Sequence, residues 1–497
     1  MDVVPSRLAG RRRARARLAG GVASGLALLT GCPDRPIDKI EPTQTGAITK
    51  KIPVSADLDI LFVIDNSPST LDKQTVFAQN FPRFVQALDA FPMGRPNLHI
   101  GVVDTTVDIQ APGFATGCPS PDPRDNGLLQ NTARLSGCAP PSGQFISDIK
   151  QPDGTRKVNY TDPLDRTLSC IAVLGADGCG IEGPLEAMKR ALDGSRPENT
   201  DFVRKGAYLG VIFLADEDDA SIKDPAVFSL RDNTVGGHND FRVQPMFAYQ
   251  CSTAISATAA GTYSDCTPRT NSYLQDPHAY SQFLTSVKRA GQVVVAAIAG
   301  PPPGLQTNDS PPQMASSPNI RTGSLTLNGV TQPLALLESC TAKINGNDAI
   351  GRPAVRLASF IEDFGDHGRF YTVCQGDYSA ALADIGRTLF NAISPCLEGD
   401  LDTTDADPGN PGTQLQCSVS DAQVDDPSGE NAEIIPICAM QDENTPAANG
   451  RRPCWWVKHD AAACPAPDTG FELELERTEA PAAGTNVVVE CALTARQ

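Results

Sequence analysis

Asp59-Ile60-Leu61-Phe62-Val63-Ile64-Asp65-Asn66-Ser67-Pro68-Ser69 runs from an apolar stretch straight into a loop of hard oxygen donors. Residues 60–64 do not alternate with polar ones, and all but Leu61 are β-branched or aromatic, which predicts a strand covered on both faces. Asp65, Ser67 and Ser69 follow at its carboxyl end, where open α/β sheets place their ligands. One carboxylate and two hydroxyls on a single loop are donors suited to Mg²⁺ or Ca²⁺. Asp and Ser are also ordinary turn and cap residues, so the meaning of Asp-x-Ser-x-Ser rests on its surroundings.

Downstream, Val76, Phe77, Phe81, Phe84, Val85 and Leu88 recur at helical spacing, which predicts an amphipathic helix packed back on the sheet. Pro82 removes a backbone donor inside it, so a kink or break is expected near Phe81. Residues 98–103 read as a second strand. Strand, Asp-x-Ser-x-Ser, helix and strand together resemble the start of a von Willebrand factor type A (VWA) domain. The resemblance implies a doubly wound, mostly parallel α/β sheet with helices on both faces, and a metal-ion-dependent adhesion site. Residues 208–215 read as another buried strand ending at Asp216, where that family keeps the distant aspartate of its site. The family's threonine belongs in a loop matching 178–184 here, which contains none; Glu182 is the candidate substitute. The resemblance thus implies a metal set of Asp65, Ser67, Ser69 and Asp216, with Glu182 as an added carboxylate. For Asp218 and Asp219 a solvated acidic turn is an equally good reading.

Two more strands, 292–299 and 369–373, complete the expected sheet. Helical spacing precedes each, through Tyr280, Phe283, Leu284 and Val287 and then through Val355, Leu357, Phe360, Ile361 and Phe364. A last helix over 378–393 places the domain at 55–395. Between 108 and 179, and again between 223 and 273, Pro, Gly, Ser, Asp and Cys without periodicity predict long Cys-rich loop insertions.

Arg7, Arg11, Arg12, Arg13, Arg15 and Arg17 precede a short apolar stretch, 18–29, and then Leu29-Thr30-Gly31-Cys32. This resembles a bacterial lipoprotein signal (1–31) with Cys32 as the lipidated residue and 32–54 as the linker after it. Pro33 follows, with no aspartate to retain the chain in the inner membrane. An outer-membrane lipoprotein is expected, facing either the periplasm or the exterior, and membrane contact is expected through the lipid anchor only.

Removing Cys32 from the 15 cysteines leaves an even set, as an exported chain would pair. Cys118, Cys138, Cys170, Cys179, Cys251, Cys266, Cys340 and Cys374 lie in the main domain; Cys396, Cys417, Cys438, Cys454, Cys464 and Cys491 lie beyond it. The simplest expectation pairs sequence neighbours in the first group, closing the insertions. Zinc competes as a reading, but Cys-x-x-Cys is absent and the chain holds five histidines.

The acidic, Pro/Gly-bearing stretch 396–412 reads as a flexible linker. After it, 433–438, 454–458, 471–476 and 485–493 read as short strands of a small disulfide-stapled β domain, 413–497. Trp455-Trp456 is either core or a sugar-stacking platform, and core is the more ordinary use.

The net charge of −18 becomes −23 without residues 1–31, which hold six arginines and one aspartate. Such a surface disfavours nucleic acid. No His-Glu-x-x-His, Gly-x-Ser-x-Gly, Gly-x-Gly-x-x-Gly or Walker-type loop occurs, so an enzyme is not expected. The leading reading is a lipid-anchored module that recognises a protein through a divalent cation. A structural envelope component with a degenerate or merely stabilising metal site is the alternative. A hydrolase using Asp65, Glu182 and Asp216 around metal-bound water is a third reading.

Overall fold

The computed structural model describes residues 47–494, apart from 54–56, 92–93, 109–124, 152, 230–246, 257, 289, 306–317, 328–329, 398, 424–430, 461–463, 465–469, 480 and 482–484. The leader, Cys32 and Cys118 therefore lie outside the described residues.

Strand β1 (Ala47–Pro53) belongs to a small sheet treated below. The decisive apolar run becomes β2 (Asp57–Ile64), the middle strand of a seven-stranded sheet. Its residues alternate between two cores: Leu58, Ile60, Phe62 and Ile64 face one, Leu61 and Val63 the other. That double burial explains why no polar residue interrupts the run.

Asn80 ends α1 (Leu71–Gln79), and α2 (Phe81–Asp89) starts with its proline in the first turn, so Pro82 begins a helix instead of kinking one. Phe62 meets Phe77, Phe81 and Phe84 edge-on, with ring centroids 5.7, 5.4 and 5.6 Å apart. Each such pair contributes about 0.5–1.5 kcal/mol beyond its area burial.

Strand β3 (Asn97–Asp104) runs parallel to β2. Beyond it, β4 (Ile146–Lys150) and β5 (Arg156–Val158) continue antiparallel to the edge. Helices α3 (Leu164–Ala172) and α4 (Pro184–Leu192) follow. Strand β6 (Tyr208–Leu214) then returns to the other side of β2, again parallel. Helix α5 (Pro277–Val287) leads to the strand Val293–Ala299, and α6 (Val355–Glu362) to Gly368–Thr372; both strands are parallel. Helix α7 (Ser379–Ile393) closes the chain back over the sheet. Side chains of α1, α2, α3 and α7 cover one face, and those of α4, α5 and α6 the other. The chain is thus mixed α/β with a central, mostly parallel, doubly wound sheet.

Several expectations need correction. The stretch between 108 and 179 is not loop throughout: it supplies β4, β5 and α3, and α3 buries Leu164, Leu168, Ile171 and Ala172. Its apolar positions are spread over only nine residues, too few for a periodicity to stand out among Pro, Gly and Cys. Cys138 pairs with Cys170, not with Cys118, so Cys170 is not paired with Cys179 either. The cause is α3, which carries Cys170 back over the 134–138 segment, where the Arg134 N–H donates to the Cys170 carbonyl at 3.3 Å. Cys179 is disulfide-bonded too. Cys251–Cys266 and Cys340–Cys374 join sequence neighbours as expected.

In the tail, Cys396–Cys464, Cys417–Cys491 and Cys438–Cys454 staple two small sheets. One has the order Ala47–Pro53, Thr485–Ala492, Cys417–Gln423, Glu433–Ile435; the other pairs Cys454–His459 with Phe471–Glu476. Two stretches read as linkers behave otherwise. Residues 47–53 form β1 along Thr485–Ala492, and Leu397 and Leu401 from 396–412 enter the core of the tail. Composition showed their charge and prolines, while two leucines were enough to anchor the second. Trp455 is buried in that core, and Trp456 packs against Cys438, Met440 and Cys454.

Candidate functional site

The sheet order reverses at β2: the chain leaves it for β3 on one side and later places β6 on the other. Strand ends at such a switch point splay apart and leave a crevice. Asp65 follows β2 there, Asp216 follows β6 after Ala215, and the Asp65 N–H donates to the Leu214 carbonyl at 2.9 Å.

The loop after β2 is braced from within. The Thr70 hydroxyl donates to the carbonyls of Asp65 and Ser67, at 2.8 and 2.9 Å. Gln74 Nε2 reaches the carbonyls of Asp65 and Gly175, both at 2.8 Å, and its Oε1 accepts the Leu174 N–H. Gly178 approaches so closely that a Cβ there would lie 2.2 Å from Asn66 Oδ1, so any side chain would push this loop away.

Four of the five sequence-predicted metal ligands form one connected set. The Ser67 N–H donates to Asp65 Oδ1 at 2.8 Å, the Ser67 and Ser69 hydroxyls are 3.2 Å apart, and the Ser69 hydroxyl donates to Asp216 Oδ1 at 3.1 Å. Asp65, Ser67 and Asp216 are buried, whereas Ser69 opens to solvent. Asp65 Oδ2 has no hydrogen-bond partner among the described residues. Burial, reinforced by the neighbouring Asp216 charge, pushes the Asp65 carboxyl up to about 7. Glu182 is buried in the loop before α4, and its carbonyl accepts the Ala220 N–H at 2.8 Å. Its carboxylate and that of Asp216 both act on the Arg352 guanidinium, whose pKa burial lowers in spite of them.

Two features of the crest escaped the sequence reading. Lys73 on α1 is 2% exposed, and its ammonium donates to Asp216 Oδ2 at 2.9 Å and to the Ser69 carbonyl at 2.8 Å. The signal was present: Lys73, Val76 and Phe77 share one helical face, so a cation sits on the buried stripe. Thr105, one residue past β3, has a fully buried hydroxyl with no partner among the described residues. Its carbonyl accepts the Gly183 N–H at 2.9 Å, beside Glu182. The acidic turn also differs from a solvated one. Asp218 accepts the N–H groups of Arg356 and Leu357 at the start of α6, and Asp219 pairs with the buried Arg356 guanidinium at 3.0 Å.

A cleft of about 620 Å³ opens beside the set. Pro68, Ser69, Leu71, Asp72, Lys73 and Thr75 line one side, and Asn345, Asn347, Asp348 and Ile350 of the hairpin Cys340–Ile344/Asn347–Gly351 line the other.

No group of three or more His, Cys, Asp or Glu side chains among the described residues is arranged to hold a metal ion. The donors at the crest are instead two carboxylates joined by serine hydroxyls, with Asp65 Oδ2 and the Thr105 hydroxyl lacking a hydrogen-bond partner among the described residues. That composition suits a hard cation with oxygen ligands. No helix among the described residues is long and apolar enough to cross a membrane.

No protein-family model and no curated protein matches the chain. Solved structures do. The pilus adhesin SpaC from Lactobacillus rhamnosus GG, in an open conformation, aligns at 9% identity and a TM-score of 0.30, over 91% of this chain and 41% of that one. The human COPII-coat protein Sec24c aligns at 8% identity and 0.29, over 90% and 46%. The pilus adhesin RrgA from Streptococcus pneumoniae aligns at 10% identity and 0.21, over 90% and 57%. The chain spans about half the length of these structures, and what they bind stays with them.

Proposed function

We propose that the chain is a VWA-type binding module whose crest at the β2/β6 switch point holds a divalent cation, Mg²⁺ or Ca²⁺, for recognition of a protein ligand. The buried Asp65 Oδ2, without a hydrogen-bond partner among the described residues, carries the reading, because an unmatched carboxylate oxygen costs stability unless something positive meets it. Asp65, Ser67, Ser69 and Asp216 would hold the ion, and the exposed Ser69 gives it a way in. A divalent cation there supplies a positive point for an acidic side chain of the partner. The chain's own residues keep the loops in place through Thr70, Gln74 and Gly178, and the neighbouring cleft offers the contact surface. Glu182 remains a candidate additional ligand.

Titration calorimetry of the purified chain with Mg²⁺, Ca²⁺ and Mn²⁺ tests this. Binding is expected in the wild type, with a loss of tenfold or more in Asp65→Asn, and a chelator should abolish partner capture. Equal affinity in wild type and Asp65→Asn would refute the assignment. The structural alternative has its own support in the Lys73–Asp216 ion pair, which neutralises one of the ligands.

From Cys32 and the basic leader we further propose a lipid anchor in the outer membrane. Acyl labelling that persists in Cys32→Ser would end that idea.

A further inference from the structure

We infer that Lys73 is the resident cation of the crest, and that a divalent ion binds there only by taking Asp216 from the Lys73 ammonium. The inference rests on the divalent-cation reading above and names what limits it. Lys73 Nζ spans the same two elements that a metal ion would join: the loop after β2, through the Ser69 carbonyl, and the end of β6, through Asp216 Oδ2. The Ser69 hydroxyl already donates to the other oxygen of Asp216, so the ammonium and the hydroxyl hold that carboxylate from both sides. The nearest further acid is Asp72, 3.9 Å away and partly exposed. The ammonium therefore has a second carboxylate to move toward when it gives up Asp216.

Charge sets the consequence. Asp65 and Asp216 together carry two negative charges when ionised, and Lys73 cancels one. Glu182 and the Arg352 guanidinium on which it acts offset each other, so a divalent ion added to Asp65, Asp216 and Lys73 leaves the set positive, whereas with Lys73 neutralised the same ion and two carboxylates balance. Like charges a few ångströms apart in a buried site repel strongly. Lys73 thus weakens divalent binding while keeping the crest closed without metal. The ammonium pairs with Asp216, while Asp65 Oδ2 has no hydrogen-bond partner among the described residues.

A merely structural ion pair makes a different forecast, and Mn²⁺ titration of the full chain separates the two. Lys73→Met keeps the stem and removes the charge; Lys73→Gln also keeps a donor for the Ser69 carbonyl, and serves if Lys73→Met does not fold. Mn²⁺ affinity should rise about tenfold or more in the variant. Mn²⁺ should also raise the variant's melting temperature by more than it raises that of the wild type. Equal Mn²⁺ affinity in wild type and a folded variant overturns the inference and leaves the cation site standing. Absence of Mn²⁺ binding in wild type and variants alike overturns the cation site itself and the competition with it.

Discussion

Strand β2 ends in a buried carboxylate in both directions, and the two ends are treated oppositely. At its amino end, Asp59 accepts the Arg204 N–H at 2.7 Å and Arg204 Nε at 2.8 Å. The same guanidinium reaches the carbonyls of Leu58 and Asn97. Lys288 caps the arrangement by donating to the carbonyls of Arg204 and Lys205. At its carboxyl end, Asp65 takes the Ser67 N–H on Oδ1, and the Ser67 hydroxyl and the Asp216 N–H also lower its pKa. Among the described residues, however, no arginine or lysine is against it and Oδ2 has no hydrogen-bond partner. Burial raises both carboxyls, Asp59 to about 6 and Asp65 to about 7, even though only Asp59 has an arginine against it. A buried charge that the fold has matched is part of the scaffold. One it leaves unmatched marks where something from outside is expected.

Breaking the matched end should have the largest effect. Arg204→Met strands the Asp59 carboxylate in the core and removes donors from two carbonyls, so about 3–5 kcal/mol of stability should be lost in urea unfolding. Cation affinity should not change, because the lesion lies at the opposite end of the sheet. A loss below 1 kcal/mol would mean that the base is no more committed than the crest.

The unmatched end should respond in the other direction. Without metal, Asp65→Asn removes an uncompensated buried charge, so the chain should gain on the order of 1–3 kcal/mol at pH 8 while losing cation affinity. A variant less stable than wild type in chelator would show that Asp65 is a structural carboxylate like Asp59.

The smallest effect sharpens the comparison through pH. Burial, offset in part by Asp59, lowers Lys288 from its ordinary 10.5 to about 8. Between those values the folded chain has released a proton that the unfolded chain still holds, so folding becomes more favourable as pH rises from about 8. This share of stability is lost as pH falls through about 8. Lys288→Met should remove a slope amounting to about 1–2 kcal/mol between pH 7.5 and 9.5, measured by denaturant unfolding. An unchanged slope would assign it to other groups.

Much of this architecture was legible because its signals are local. Residues 60–64 read as a doubly covered strand, and Pro82 as a break near Phe81. The strand ending at Leu214 and the helix Ser379–Ile393 also lie within a residue of their expected limits. Helix α3 was hidden because its nine residues sit in a Cys- and Pro-rich insertion. Lys73 was only half hidden: its place on the face of Val76 and Phe77 signals burial, but not what it meets there. Its partner stands 143 residues away.

By itself, then, the sequence determined the strand periodicities, the helix breaks and the chemistry of Asp65, Ser67 and Ser69, because these depend on neighbours one to four residues apart. It also made an even cysteine set available once Cys32 is set aside, though not the partners within it. Tertiary structure alone decided that Cys138 meets Cys170, that Leu397 and Leu401 anchor what composition presents as a linker, and that β1 lies along Thr485–Ala492. Above all it decided which buried charges are answered: Arg204 comes to Asp59 from 145 residues away and Lys73 to Asp216 from 143. Charge compensation depends on distance in space, and a linear pattern carries no record of that.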